Sequence, residues 1–486
     1  MRIADCGLRI EKLEFFMKYF EYFSPKDLQQ IHAGTLQVLE TVGIDFYYEP
    51  AVDLLTKAGC KADGRRVFFP PKLVEEHIAK APSQFTLYAR DPAKNVTIGG
   101  NNIAYVPCYG APVVHNLDEG RRDSTLNDYV NFVKLTHASL YQDMAGGLMV
   151  EPNDIPVRRR GVEMLYAAIR YSDKPFMGGV LGAEAVHESI EAASIVFGSR
   201  AEMAQKPPFI GMLGSRSPLS YDDRMLSAMM AYAGAGLPQL ISALSIAGAT
   251  GPVTMEGALV IQLAETLAGI TLVQLVREGT PVVIGGQSTS AAMRYGTLSI
   301  GAPEMAINTA ATAQLARFYN IPSRSGGAVT DSKTCDSQAG SESMMGQLMS
   351  TLSGINFVLH SAGILETYMV ASYEKFILDD EICGTCKRIK SGENVTAERL
   401  ALELIGDVGP GGEYLTNEHT FSNFRREFYQ PMIAERSNYA TWQKNGAQRI
   451  EKKANAKWKE ILADYGEPVL PGDLERDLRK FVDGIK

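Results

Sequence analysis

The chain has 486 residues, 45% hydrophobic and 21% charged, the proportions of a globular protein. Its net charge is −8 with no long basic run, which argues against a nucleic-acid binder, since those carry a basic face. Nothing supports a secreted or membrane protein: the most apolar stretch, 258–276, is interrupted by Gln262, Glu265 and Gln274, and Asp5, Glu11 and Glu14 break what a signal peptide would need.

Six scattered cysteines in a chain long enough to bury its own core give the expectation of a cytoplasmic protein with reduced thiols. Residues 26–43 have the apolar spacing of an amphipathic helix (Leu28, Ile31, Leu36, Leu39), and 60–100 reads as short strands with turns.

From residue 100 a local pattern recurs. A helical segment ends in Gly, Asn or Asp, then one residue, a proline and an apolar run, as at Asp173-Lys174-Pro175, Gly236-Leu237-Pro238, Gly279-Thr280-Pro281 and Asn320-Ile321-Pro322. The first residue can close a helix in the left-handed conformation, and the proline stops the helix from continuing. With the runs at IAYVPCY, MAGGLMV, PFIGML and INFVLHS, this places eight strands starting near 103, 144, 175, 208, 238, 281, 322 and 355. Helical periodicity fills the intervals, and eight consecutive βα units predict a TIM (β/α)8 barrel. The reading is an α/β protein: residues 1–100 form an extension of helix and short strands, 101–375 the barrel, and 376–486 a mostly helical extension with Trp442 and Trp458. Both extensions are expected to cap the barrel or build a homo-oligomer.

Barrel active sites lie on the loops after the strands, so the strand ends supply the candidates. Gly146-Gly147, Gly178-Gly179, Gly285-Gly286 and Gly326-Gly327 are four Gly-Gly pairs in a chain with 45 glycines. Each either relieves crowding or leaves room for something large, and together they favour a wide mouth. His360 ends an apolar run, and the polar loop 330–342 carries Asp331, Gln338 and Glu342. Cys383-Gly384-Thr385-Cys386 lacks a second pair of zinc ligands, so no metal site is expected. Asp379-Asp380-Glu381 reads as a solvated helix end. Walker, GxSxG, HExxH and GxGxxG patterns are missing, which disfavours phosphoryl transfer, serine hydrolysis and dinucleotide chemistry.

Several ordered motifs carry a resemblance: LETVGI at 39–44, ARDP at 89–92, IGAPE at 300–304, TDSK with DSQAGSE at 330–342, HSAGILE at 360–366, EKFILDDE at 374–381, HTFSNFRREFYQP at 419–431 and R-x-x-Y-x-x-W at 436–442. In these the sequence resembles the trimethylamine methyltransferase superfamily of corrinoid-dependent methylotrophs. The resemblance implies a barrel whose mouth docks a small corrinoid protein, with no tightly bound cofactor of its own; the cobalamin is carried by that partner and accepts a methyl group from an amine. The archaeal enzymes carry pyrrolysine on a loop matching 330–342. Here every residue of that loop is ordinary, which points to the branch without pyrrolysine, whose members demethylate quaternary amines such as glycine betaine, proline betaine or carnitine.

A quaternary ammonium is held by aromatic faces, for which Tyr105, Tyr109, Phe357 and Tyr368 are candidates. His360 and Gln338 are candidates for a substrate carboxylate, and Asp331 and Glu342 for negative potential around the cation. Two other readings remain: a barrel lyase or isomerase using His360 with Asp331 or Glu342 as an acid–base pair, and a non-catalytic binding protein for methylated amines.

Overall fold

The computed structural model describes residues 18–485. Eight strands form one all-parallel sheet: β1 Ala104–Val106, β2 Ala145–Gly146, β3 Phe176–Met177, β4 Phe209–Gly214, β5 Gln239–Ala243, β6 Val282–Gly286, β7 Ser323–Gly326 and β8 Phe357–Leu359. They run β2 to β8 in order, and β8 pairs with β1. Between β1 and β2 the ring is closed by Asp143, whose amide donates to Tyr105 O at 2.7 Å and whose carboxylate accepts from Tyr105 N at 2.8 Å. The expected barrel is present, each strand starting one or two residues after its sequence-based position.

The junction chemistry explains that agreement. Gly236 ends its helix at φ 71°, and Gly279 (φ 78°) and Asn320 (φ 54°) hold the same left-handed position before their prolines. The helices are α1 Leu126–Ala138, α2 Val157–Tyr171, α3 Ala183–Phe197, α4 Asp223–Ala235, α5 Met255–Val276, α6 Pro303–Phe318, α7 Ser337–Ser353 and α8 Tyr373–Lys390.

Strand alternation sorts the side chains. Ala104, Val106, Met177, Ile210, Leu240, Val283, Phe357 and Leu359 fill the barrel together with Leu87, Val96 and Ile98. Those last three belong to a hairpin, Gln84–Leu87 paired with Val96–Gly99. Its neighbours Tyr88 and Arg90 bond to Pro207 and Asp173, just ahead of β4 and β3, so the hairpin plugs the barrel at the N-terminal ends of the strands. Phe176, Phe209, Ile241 and Ile284 face outward into the core beneath the helices.

Among the described residues one helix, α5, is long and apolar enough to cross a membrane, and most of it is buried inside the protein. Its outer side is covered by the N-terminal helix Pro25–Thr41 and by Pro71–Ile78, which is why it is apolar all round. Of the residues that interrupt it, Glu265 accepts hydrogen bonds from Ser215 Oγ, Ser217 Oγ at 2.7 Å and Leu219 N at 2.7 Å, and fixes the loop after β4.

The acidic run Asp379-Asp380-Glu381, expected in solvent, is instead buried in α8. Asp379 is paired with Lys375 Nζ at 2.5 Å, Asp380 accepts from Ser139 Oγ at 2.7 Å, and Glu381 accepts from Ile433 N at 2.6 Å and Ala434 N at 3.1 Å. Asp379 also accepts from Gly363 N at 2.9 Å, so each carboxylate ties α8 to another part of the chain and has partners inside the protein in place of water. The C-terminal extension then wraps the barrel: Trp458 donates to Glu374 Oε1 at 3.0 Å, and Arg479 pairs with Glu163 of α2 at 2.9 Å.

Candidate functional site

At the C-terminal ends of the strands two small sheets rim the mouth. One joins Val113–Asn116 and Gly120–Asp123 to Ile364–Leu365 and Val370–Ser372; the other joins Ile246–Ala247, Thr289–Ala292 and Thr297–Ser299. Within this rim His360 directly follows β8, buried, with φ 60°. A non-glycine residue held there costs about 1–3 kcal/mol, a kind of strain that collects at functional sites. Its Nε2 lies 3.0 Å from the Tyr109 carbonyl, which can only accept, so Nε2 carries a proton. Nδ1 faces the Gln287 amide nitrogen at 3.3 Å and accepts from it. Burial and the nearby Arg324 push its pKa down to about 3, leaving a neutral imidazole at physiological pH.

The Tyr368 ring packs on His360 with centroids 4.7 Å apart, and its hydroxyl accepts from Gln287 at 3.1 Å. Tyr109 and Tyr368 are both half-buried. Burial raises both phenols, that of Tyr109 to about 12, so both stay protonated. The structure therefore brings three of the expected residues together: His360, Tyr109 and Tyr368.

Asp331 and Glu342 do something else. Asp331 accepts from Ile300 N at 3.0 Å, Gly301 N at 3.1 Å and Thr367 Oγ1 at 2.9 Å. Glu342 accepts from Thr330 Oγ1 at 2.5 Å, Asp331 N at 2.9 Å and Gln338 Nε2 at 2.9 Å. Neither contacts His360, so no acid–base pair forms; both carboxylates are consumed in fixing the loop, and Gln338 is exposed on its outer side.

Tyr105 and Phe357 are also corrected. Tyr105 is fully buried on the outward face of β1 and bonds to Thr351 of α7 at 2.9 Å. It packs there with Cys383 and Cys386, because alternation along a three-residue strand turns it away from its inward neighbours. Phe357 does point inward, but into the packed base beside the plugging hairpin.

The glycine pairs all sit against close neighbours. A Cβ on Gly286 would sit 2.3 Å from Gln262 Nε2 and Thr312 Oγ1, and one on Gly327 2.2 Å from Gln347 Oε1. One on Gly178 would meet Tyr232 Oη at 2.4 Å, and one on Gly285 would meet Ile241 O at 2.9 Å. A Cβ on Gly146, Gly179 or Gly326 would lie 2.9–3.0 Å from Ala168, Ala185 or Met305. Helix–strand packing and crowding between strands explain these seven, not space left for a corrin ring. A Cβ on Gly147 (φ 76°) would likewise meet Met177 Cβ at 2.9 Å and the Tyr109 ring at 3.0 Å; with Gly178, Gly179, Met177 and Met212 it borders a largely apolar cavity of about 360 Å³.

The residue that sequence reasoning missed is Arg324. It is fully buried on the inner face of β7, in register with Phe357 on β8 and with Gly285 on β6, which pairs in turn with Ser242 on β5. Those small residues leave the space its side chain occupies. Nη1 donates to Ser242 Oγ at 3.2 Å, whereas Nε and Nη2 have no partner among the described residues. Burial lowers its pKa to about 10, so it remains a cation at neutral pH. A charged residue in the inward register of a barrel strand was the available signal, masked by the polar run PSRSGG.

The chain matches the family model described as trimethylamine methyltransferase over residues 7–486. It is 47% identical to a glycine betaine methyltransferase of Desulfitobacterium hafniense (strain Y51), covering 95% of this chain and 96% of that one. The chain belongs to the trimethylamine methyltransferase family. A proline betaine:corrinoid methyltransferase of Eubacterium limosum is 31% identical, with 85% of this chain and 86% of that one covered. The monomethylamine methyltransferase structure of Methanosarcina barkeri matches with a TM-score of 0.55 at 11% identity, covering 93% of this chain and 90% of that one; that similarity concerns the fold.

The motifs by which the sequence resembles this trimethylamine methyltransferase family now have physical roles. IGAPE and TDSK meet where Ile300 and Gly301 bind Asp331, and EKFILDDE holds α8 to its surroundings through the three buried carboxylates. Arg90 of ARDP donates to Ile169 O at 3.0 Å and Ser172 O at 2.9 Å, capping α2.

Proposed function

We propose that this protein transfers a methyl group from a quaternary amine of the betaine type to the cob(I)alamin of a partner corrinoid protein. The observation that carries the reading is that the groups at the barrel mouth suit positioning and not proton transfer. His360 is neutral with both nitrogens committed, Asp331 and Glu342 are consumed by the loop, the Tyr368 ring packs on His360, and Tyr109 meets His360 through its carbonyl. A quaternary amine leaves as a neutral tertiary amine, so its displacement needs no general acid. It needs a cation held still with one methyl exposed, and aromatic faces supply that. The lyase or isomerase reading loses its acid–base pair.

Cob(I)alamin, carried by the partner, supplies the nucleophile. The C–N bond breaks with its electron pair staying on nitrogen, and the chain's own part is to bind, orient and exclude water. Two surface features support docking of a small corrinoid protein over the mouth. Leu181, Val253, Met293 and Tyr295 on loops after the strands, and Val157 at the start of α2, are large and exposed, and such apolar rims mark interaction sites. The cavity beside Tyr109 opens among the same loops. A homo-oligomer is part of the same reading, for which the C-terminal extension offers exposed Leu402, Leu415, Phe421 and Phe428.

The test is incubation with reduced cobalamin and, separately, glycine betaine, proline betaine, carnitine and choline, following cob(I)alamin absorbance and the demethylated amine. Loss of absorbance with stoichiometric tertiary amine is expected with at least one betaine. No methyl loss from any of them, with or without a corrinoid protein, would overturn the reading; tight binding without turnover would favour a binding protein.

A further inference from the structure

We infer that Arg324 is the carboxylate-binding residue of the substrate site, so that the substrate is a zwitterion held with its acid group deep in the barrel and its ammonium toward the mouth. The inference rests on the proposed function and adds the identity, orientation and selectivity of the bound molecule.

The geometry begins with what Arg324 lacks. It is fully buried, and among the described residues the only hydrogen bond its side chain makes is from Nη1 to Ser242. Among the described residues no Asp or Glu pairs with it, and the titratable groups coupled to it are Tyr109, Tyr368 and His360, all neutral. Burying a cation without a counter-ion costs several kcal/mol, so the missing partner is a property to be explained. The two unpartnered nitrogens are Nε and Nη2. These lie on one edge of the planar guanidinium, the pair whose parallel N–H bonds take both oxygens of a carboxylate. Ser242 holds the opposite side of the group and leaves that edge free.

The layering supplies the orientation. Arg324 shares its level with Ser242 and Gly285, one layer above Leu240 and Val283. His360, Tyr109, Tyr368 and Gln287 lie beyond the strand ends, closer to the mouth. A molecule with a carboxylate on Arg324 presents its other end to the Tyr109 and Tyr368 rings. In a short betaine that end is the quaternary nitrogen, and a methyl group then points out of the barrel, where an external acceptor can reach it. An uncharged amine leaves Arg324 unpaired, and a purely cationic one also places a second positive charge beside it.

Equilibrium binding by calorimetry tests this without requiring turnover. Wild-type protein is titrated with glycine betaine and with choline, which keeps the trimethylammonium and replaces the carboxylate by a hydroxymethyl group. Losing one partner of a buried charge pair predicts that choline binds at least about 30-fold more weakly. In Arg324→Gln, betaine affinity falls by a similar factor and the preference over choline disappears, and Arg324→Lys recovers part of the preference. Equal binding of betaine and choline by the wild type overturns the inference even if no variant folds. So does an Arg324→Gln protein of unchanged melting temperature and unchanged betaine affinity. Betaine turnover combined with such indifference to Arg324 would sink this inference alone, whereas Arg324-dependent binding without methyl transfer would sink only the proposed function.

Discussion

Thr367 Oγ1 donates a 2.9 Å hydrogen bond to Asp331 Oδ1, and this contact fixes the turn that presents Tyr368 to the site. Glu366, Thr367 and Tyr368 all have left-handed backbone, with φ of 50°, 52° and 72°. Three such residues in a row persist only when their surroundings hold them. The hold comes from the loop before α7, through Glu366 N to Ser332 O at 2.8 Å and Thr367 N to Thr330 O at 3.1 Å. Asp331 is thus a positioning residue for Tyr368.

Replacing it tests that role. Asp331→Ala leaves the amides of Ile300 and Gly301 without their acceptor and should destabilise the protein by about 1–3 kcal/mol. The KM for betaine should rise about tenfold through the displaced Tyr368, while the shape of the pH–rate profile stays that of the wild type. A changed pH profile would instead make Asp331 a proton-transfer group.

The aromatic faces are separable from the hydroxyls. Tyr109→Phe and Tyr368→Phe keep the ring and should change betaine affinity little. Tyr368→Leu removes the face and should weaken binding about 2- to 30-fold. Calorimetry on the three variants decides between ring and hydroxyl.

The neutral His360 has a pH signature. Its folded pKa of about 3 lies below the ordinary 6.5, so in acid the unfolded chain takes up a proton that the folded chain refuses. The stabilisation is complete above about pH 6.5 and is lost as pH falls, by up to about 1.4 kcal/mol per unit. Denaturant titrations between pH 7 and 5 should show a steeper loss for the wild type than for His360→Gln. Turnover should show no inflection near 6.5 arising from this residue.

Glu381 anchors the C-terminal extension through Ile433 N and Ala434 N. Glu381→Ala should speed limited proteolysis between 391 and 448 and lower stability by about 1–3 kcal/mol. If the extension builds the oligomer, light scattering should report dissociation of the same variant at high dilution.

Much of the architecture could be read directly from residues. Gly236, Gly279 and Asn320 ahead of their prolines mark helix ends by local backbone preference, so β5, β6 and β7 could be positioned without knowing their neighbours. His360, Tyr109 and Tyr368 lie together because strand ends in a barrel converge. Asp331 and Glu342 were misassigned because a carboxylate's role depends on which amides face it, and those of Ile300 and Gly301 lie 30 or more residues earlier in the chain. Tyr105 and the acidic run of α8 were misplaced because burial is decided by what packs on them.

The sequence by itself determined the barrel and its eight strand positions, since these follow from short-range conformational preferences and alternation. Only the tertiary structure decided which polar groups are spent on the scaffold and which are left free. Arg324 shows the difference: its type is written in the chain, but its missing partner is visible only once eight strands surround it.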